Sequence, residues 1–169
     1  MVSDFFYPST GGVESHMYCL AQCLIARGHR VTVATHCHGA PARHMIGPNG
    51  LRVIYLPRAP AALCATLPTL LPSLPLLRRL LLRERPSVVH CHQAFSPLAH
   101  EAARAASLLR LPCVFTDHSL FGFADAASIL MNKALKFALT APDLLVCVSH
   151  TSKENTVLRA CLPPSRVAV

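Results

Sequence analysis

Short runs that are apolar almost throughout alternate along this chain with longer stretches whose apolar residues recur every three or four positions. "RVTVATH" (30–36), "LRVIYLP" (51–57), "SVVHCH" (87–92), "CVFTDH" (113–118) and "DLLVCVS" (143–149) have the length and content of strands, and "RVAV" (166–169) begins another. Helical spacing marks residues 13–27, 97–110 and 151–162, and Gly28 follows the first of these as a C-terminal stop. Strands with no polar face, separated by helices, predict a parallel sheet covered on both sides. The expected fold is a Rossmann-like, doubly wound α/β domain spanning residues 1–169. Residues 1–3 are short for the central first strand of such a sheet, and "RVAV" stops as a strand starts. The chain is therefore expected to be a piece of a longer protein.

Residues 61–82 are the most apolar stretch. Pro68, Pro72 and Pro75 interrupt them, and Arg78-Arg79 arrive early, so they fall short of the ~20 unbroken apolar residues of a membrane span. The pattern predicts a proline-punctuated loop leading into a helix, "LPLLRRLLLRER". That helix sets a leucine face against Arg78, Arg79, Arg83 and Arg85. It reads either as a packed surface helix or as an interfacial helix lying on anionic lipid.

Composition narrows the class. Of 169 residues, 52% are hydrophobic and 14% charged, which suits one domain with a real core and excludes a disordered chain. Sixteen Lys and Arg against eight Asp and Glu give a net charge of +8, a surface suited to phosphates, anionic lipid or nucleic acid. With no Trp and few aromatics, a base-stacking surface is not expected, and nucleic acid ranks below phosphorylated or lipid substrates. Eight cysteines form no CxxC pair and sit mostly in apolar runs, so they read as small buried thiols in a reducing compartment. The first residues lack a basic segment followed by an apolar one, and a cytosol-facing protein is expected.

In an open α/β sheet, ligands lie outside the carboxyl ends of the strands. The distinctive polar residues fall there: Asp4 and Gly11-Gly12 after strand one, His36 and His38 after strand two, and His90, His92 and Gln93 after strand four. Thr116, Asp117, His118 and Ser119 end strand five, and Ser149 and His150 end strand six. The glycine pair before an amphipathic run lets a ligand approach the backbone and tolerates positive φ, and the helix start that follows can receive a phosphate. Such a pair is common in turns that bind nothing, and neither GxGxxG nor a Walker loop is present. His36-Cys37-His38 and His90-Cys91-His92 place imidazoles on one strand face, but structural zinc takes closely spaced Cys and His pairs from loops. No metal is expected. His118 is the leading catalytic candidate, able to donate to a sugar hydroxyl near neutral pH; it reads equally as a structural cap of the "SLFGFAD" turn. No GxSxG elbow supports a hydrolase.

"MVSDFFYP…GGVESH", "ERP…HCHQAFSPLAHEA", "VFTDHSLFGFAD" and "VCVSHTSKENTVLRA" together resemble the N-terminal half of the catalytic-subunit family of GPI-anchor N-acetylglucosaminyltransferases, within the retaining GT-B glycosyltransferases of family four. The resemblance runs nearly end to end and is weakest over residues 40–74. "GGVE" is typical of the wider group, whereas the last two stretches mark the subfamily. The resemblance implies transfer of N-acetylglucosamine from UDP-GlcNAc to phosphatidylinositol, with retention and without a metal cofactor, on the cytoplasmic face of the endoplasmic reticulum membrane. It implies partners as well: the other subunits of the transferase complex and the membrane surface, not nucleic acid. Gly11 and Gly12 match the loop near the donor diphosphate and acceptor, and His118 matches the histidine beside the donor sugar. Glu14, His90, His92 and Asp117 are further donor- or acceptor-binding candidates. The second, nucleotide-sugar domain, with its E-x7-E motif, and the C-terminal membrane anchor are missing from these residues, so no activity is expected of the 169 residues alone. The alternatives are a non-catalytic module that docks on the membrane or on the other subunits, and a family-four transferase acting on another lipid or sugar.

Overall fold

The computed structural model describes residues 1–37, 43–57, 73–120, 132–133 and 135–169. His38, Cys64, the proline-punctuated segment before residue 73 and most of the turn after Ser119 lie outside the described residues. In chain order the elements are α1 (Gly12–Ala26), β1 (Thr32–His36), β2 (Arg43–Ile46), β3 (Arg52–Leu56), α2 (Leu74–Glu84), β4 (Val89–His92), α3 (Pro97–Leu108), β5 (Cys113–Asp117), β6 (Leu144–Cys147), α4 (His150–Ala160) and β7 (Val167–Ala168).

One parallel group runs β4-β5-β6-β7, and β1 pairs parallel with β3. Residues 1–3 join the two groups. Val2 bridges Ala34 on one side and Cys91 on the other. Its N–H donates to the His90 carbonyl at 2.8 Å, and its own carbonyl accepts from the His92 N–H at 3.0 Å. On the β1 side, the Ala34 N–H donates to the Met1 carbonyl at 2.9 Å and the Ser3 N–H to the Ala34 carbonyl at 3.2 Å. Short as it is, this segment takes the central place, between β1 and β4. The chain winds outward from it to β1 and β3, then crosses back to β4, so the strand order reverses there.

The antiparallel edge strand β2, paired with β3, was not expected from the sequence. "RHMI" has neither an apolar run nor a clean alternation, and Ile46 at its end is 79% exposed, as edge strands allow.

Alternation along the strands divides the interior into two layers. Val33, Val53 and Tyr55 face one side, where Met17 and Ala21 of α1 cover them. Ala34, Ile54 and Leu56 face the other, with Leu77, Leu80 and Leu81 of α2 and the alanine face of α3. Side chains with no exposed surface, such as Phe115 and Leu139, each contribute roughly 1.5–3 kcal/mol on leaving water. Helix starts follow the sequence chemistry. Ser96 before Pro97 accepts from the Ala99 N–H at 3.0 Å, and Ser149 accepts from the Ser152 N–H at 3.1 Å.

One expectation changes. Cys37, Cys91, Cys113 and Cys147 are buried, but Cys19, Cys23 and Cys161 are exposed. The inward face of α1 is set by Glu14, Met17 and Ala21, so Cys19 and Cys23, two residues further on, point outward. Helix α2 packs Leu77, Leu80 and Leu81 inward, leaving Arg78, Arg79, Arg83 and Arg85 exposed. Arg83 and Arg52 both engage Glu84, at 3.0 and 2.9 Å. The exposed arginines thus have the placement of a packed surface helix, and no helix among the described residues is long and apolar enough to cross a membrane.

Candidate functional site

In open α/β sheets the ligand crevice lies outside the carboxyl ends of the strands where strand order reverses, here beyond residues 1–3, β1, β4 and β5. Asp4, directly past the central segment, is fully buried. Its carboxylate accepts from the Ser96 hydroxyl at 2.6 Å and from the Leu98 N–H at 3.0 Å, which ties the first loop to the start of α3. Its other oxygen lies 3.3 Å from Nδ1 of the buried His36. A carboxylate at a helix N-terminus with several donors is well satisfied. Asp4 and His36 thus form the floor of the crevice.

Above this floor four imidazoles from three elements converge. His90 and His92, two residues apart on β4, have ring centroids 4.1 Å apart. His118, just past β5, presents Nε2 to Nδ1 of His92 at 3.4 Å. His16, on the second turn of α1, meets the His118 ring edge-on at 4.7 Å and the His92 ring at 5.8 Å. His90 Nε2 is held 2.7 Å from the Thr116 hydroxyl. His92 is fully buried, and its Nε2 has no hydrogen-bond partner among the described residues.

Burial sets the protonation of this cluster. It lowers His118 to about 4, with His16 adding repulsion. It lowers His90 to about 4 as well, reinforced by the Met1 ammonium, His16 and His118. His92 is pushed well below the ordinary histidine range, again mainly by burial and then by His90 and His118. These three imidazoles are therefore neutral at pH 7, and each presents one N–H and one lone pair.

The glycine loop closes one side. Gly11 is the N-cap of α1 and has an extended backbone, φ −175°, so no left-handed conformation demands glycine there. A Cβ on Gly11 would lie 2.6 Å from a Glu14 carboxylate oxygen. The space at Gly11 is taken by the protein's own acid, which corrects the expectation that both glycines free room for a ligand. Glu14 is buried under this turn. At Gly12 an added Cβ would meet nothing within 4 Å, and α1 has no side-chain cap. Its first N–H groups remain available to an anion.

Asp117 plays a different part from the one expected. Its carboxylate accepts from the Thr156 hydroxyl at 3.0 Å and from the Ser119 N–H at 2.9 Å, and it is buried. Burial raises its pKa, opposed by those bonds. It faces α4 rather than the crevice, because β5 alternation turns it away from His118. Its bonds tie the turn that carries His118 to α4. Gln93, at the end of β4, adopts φ 76°, uncommon for a side-chain-bearing residue, and its side-chain oxygen accepts from the Ser119 hydroxyl.

The structure thus gathers His90, His92 and His118 near the start of α1, with Gly11, Gly12 and Glu14. Arg78, Arg79 and Arg83 lie on α2 and Arg85 caps its end, and the C-terminal end of that helix borders the opposite edge of the sheet, where Leu80, Leu81 and Glu84 line a groove with Met1 and Thr32. His16 escaped the sequence reading. Its signal was its place four residues after Gly12, on the same helix face. Ser96 escaped too, although Ser-Pro before a helical run marks an N-cap.

A mainly parallel sheet with helices on both faces, whose strand order reverses at residues 1–3, defines a doubly wound α/β domain. The sequence profile of Glycosyltransferase Family 4 matches residues 10–169, and the chain belongs to that family. It is 54% identical over 99% of its length to a phosphatidylinositol N-acetylglucosaminyltransferase subunit of Arabidopsis thaliana, and 53% identical over its whole length to the protein of the same name from Homo sapiens. It is 47% identical over its whole length to the gpi3 subunit of the same enzyme in Schizosaccharomyces pombe. The chain spans 35–37% of the length of these relatives.

Proposed function

We propose that this chain is the acceptor-side domain of a phosphatidylinositol N-acetylglucosaminyltransferase, which moves GlcNAc from UDP-GlcNAc to phosphatidylinositol in the first step of GPI-anchor assembly. The observation that carries this reading is the 47–54% identity, sustained across the whole chain, to subunits of that one enzyme from a plant, an animal and a fungus. The crevice supports it. The uncapped start of α1 beside Gly12 offers N–H groups to a diphosphate or to the phosphate of the acceptor. The neutral His118 is placed to donate to, or accept from, a sugar hydroxyl. Fixed N–H dipoles stabilise negative charge on a leaving phosphate without reorganisation. Asp117 and Asp4 hold the turns that carry these groups.

The reaction also needs a second domain to present the nucleotide sugar and exclude water by closing over the crevice. The 169 residues by themselves are predicted to turn over no UDP-GlcNAc. The working enzyme acts at the cytoplasmic face of the endoplasmic reticulum membrane, with the other transferase subunits as partners. The test is complementation: the transferase carrying this sequence, expressed in cells that lack their own, restores GPI-anchored proteins at the surface. Full expression and a fully assembled complex with no restoration would overturn the reading.

A further inference from the structure

We infer that Gln93 is a positioning residue: its side chain latches the loop after β4 to Ser119 and so aims His118 at the ligand. The inference rests on the reading of His118 as the group that meets a sugar hydroxyl. Gln93 stands at φ 76°, in the left-handed region that glycine enters freely and a residue with a Cβ enters at a cost. The fold imposes that conformation from both sides. The Gln93 N–H donates to the Thr116 carbonyl at 2.9 Å, and the Gln93 carbonyl accepts from the Ser96 N–H at 3.0 Å. One residue on, the Ala94 carbonyl accepts from His100 Nε2 at 2.7 Å. Glycine at position 93 would serve these backbone bonds equally well. It could not supply the carboxamide oxygen, which accepts from the Ser119 hydroxyl.

Ser119 directly follows His118 and is buried. Its polar groups reach three elements. Its N–H donates to Asp117 at the end of β5 at 2.9 Å, and its carbonyl accepts from the Ser152 hydroxyl of α4 at 3.3 Å. Those two bonds hold the turn against β5 and α4. The hydroxyl bond to Gln93 spans the gap to the loop after β4, the strand that carries His90 and His92. His118 is thus set relative to the other two imidazoles through a side-chain bond that starts from a strained residue. Strain of this kind persists where surrounding bonds enforce it, and it collects at working sites. A displacement of about 1 Å can cost ~100-fold in rate, so the bond acts through alignment.

The experiment uses the assembled transferase carrying this sequence, with Gln93→Gly, Ser119→Ala and the two combined. The double variant strands no hydroxyl and relieves the backbone, so its Tm should equal or exceed that of the parent. The expected kcat is lower by at least ~10-fold in each single variant, with no further loss in the double. KM for UDP-GlcNAc and for phosphatidylinositol should stay within about twofold. Parental kcat in the double variant, or losses that multiply, would overturn the inference. A second readout is independent of transfer: hydrogen–deuterium exchange at the imidazole C2 of His118, followed by mass spectrometry in Ser119→Ala. It should quicken at His118 and hold at His44, exposed on edge strand β2. Unchanged exchange at His118 would overturn the inference whether or not the parent transfers GlcNAc. Quickened exchange with a parent complex that transfers nothing would overturn the proposed function and leave the latch standing.

Discussion

At their starts the strands nearest the switch point border a groove lined mostly by apolar residues, Met1, Val2, Ala34, Leu80, Leu81 and Val89 among them, together with Thr32 and Glu84. At their ends β1, β4 and β5 finish on His36, His92 and Asp117, all buried. The two edges belong to one sheet and share one core, so packing alone does not explain the difference. An apolar edge is what burial produces without further demand. Buried imidazoles and carboxylates are penalised by desolvation unless each finds a partner, and His92 Nε2 has none among the described residues. The carboxyl edge therefore carries, beside a bonded polar floor, a buried imidazole at His92 that packing alone does not reward, which is how a working site differs from a merely folded one.

Substitution at the two edges would break this contrast or sharpen it. The largest expected effect is Asp4→Ala. It strands the Ser96 hydroxyl, the Leu98 N–H and His36, and should lower the unfolding free energy by about 3 kcal/mol. Val88→Ala, at the apolar edge and half exposed, should change it by under about 0.5 kcal/mol. Urea melts of the two variants compare them directly, and equal losses would remove the contrast.

The pH profile comes next. His90 and His118 have folded values of about 4 against an ordinary 6.5, so between these limits the unfolded chain binds more protons than the folded one. Stability is then complete above about pH 6.5 and falls as pH drops toward about 4. Urea midpoints should decline across this window, and His90→Gln with His118→Gln should flatten the decline. An equally steep profile in the double variant would contradict the burial argument.

A smaller loss, about 1 kcal/mol, is expected for Ser149→Ala, which removes the cap of α4. Thermal melting measures it, and no loss would mean that water serves the Ser152 N–H equally well. The smallest effect on folding is Gly12→Ala: the added Cβ meets nothing, so stability should hold within about 0.5 kcal/mol. If α1 receives a phosphate, the same methyl obstructs close approach, and KM for UDP-GlcNAc or for phosphatidylinositol should rise. Unchanged KM values would return the glycine loop to a plain helix start.

Much of this edge was readable before any coordinates. The apolar runs fix β1, β3, β4, β5 and β6, because a strand covered on both faces leaves a contiguous apolar signature. Gly28, at φ 87°, ends α1 where its sequence position implies. Edge strand β2 was not readable, since half-exposed pairing places little constraint on residue type. His16 was missed because a helix residue enters a site through tertiary approach, which no local pattern records. The orientation of Asp117 depended on a one-residue alternation at the end of β5, finer than a boundary drawn from sequence. Gly11 was read as space for a ligand because its filling by Glu14 depends on a side-chain direction.

The most direct measurement is the rate of GlcNAc transfer from UDP-GlcNAc to phosphatidylinositol by the assembled transferase carrying His118→Ala in this domain, with its melting temperature and its association with the other subunits recorded beside it. If the histidine-lined crevice is the working site, the rate falls by at least ~100-fold with folding and assembly unchanged. Wild-type transfer by that variant would contradict it.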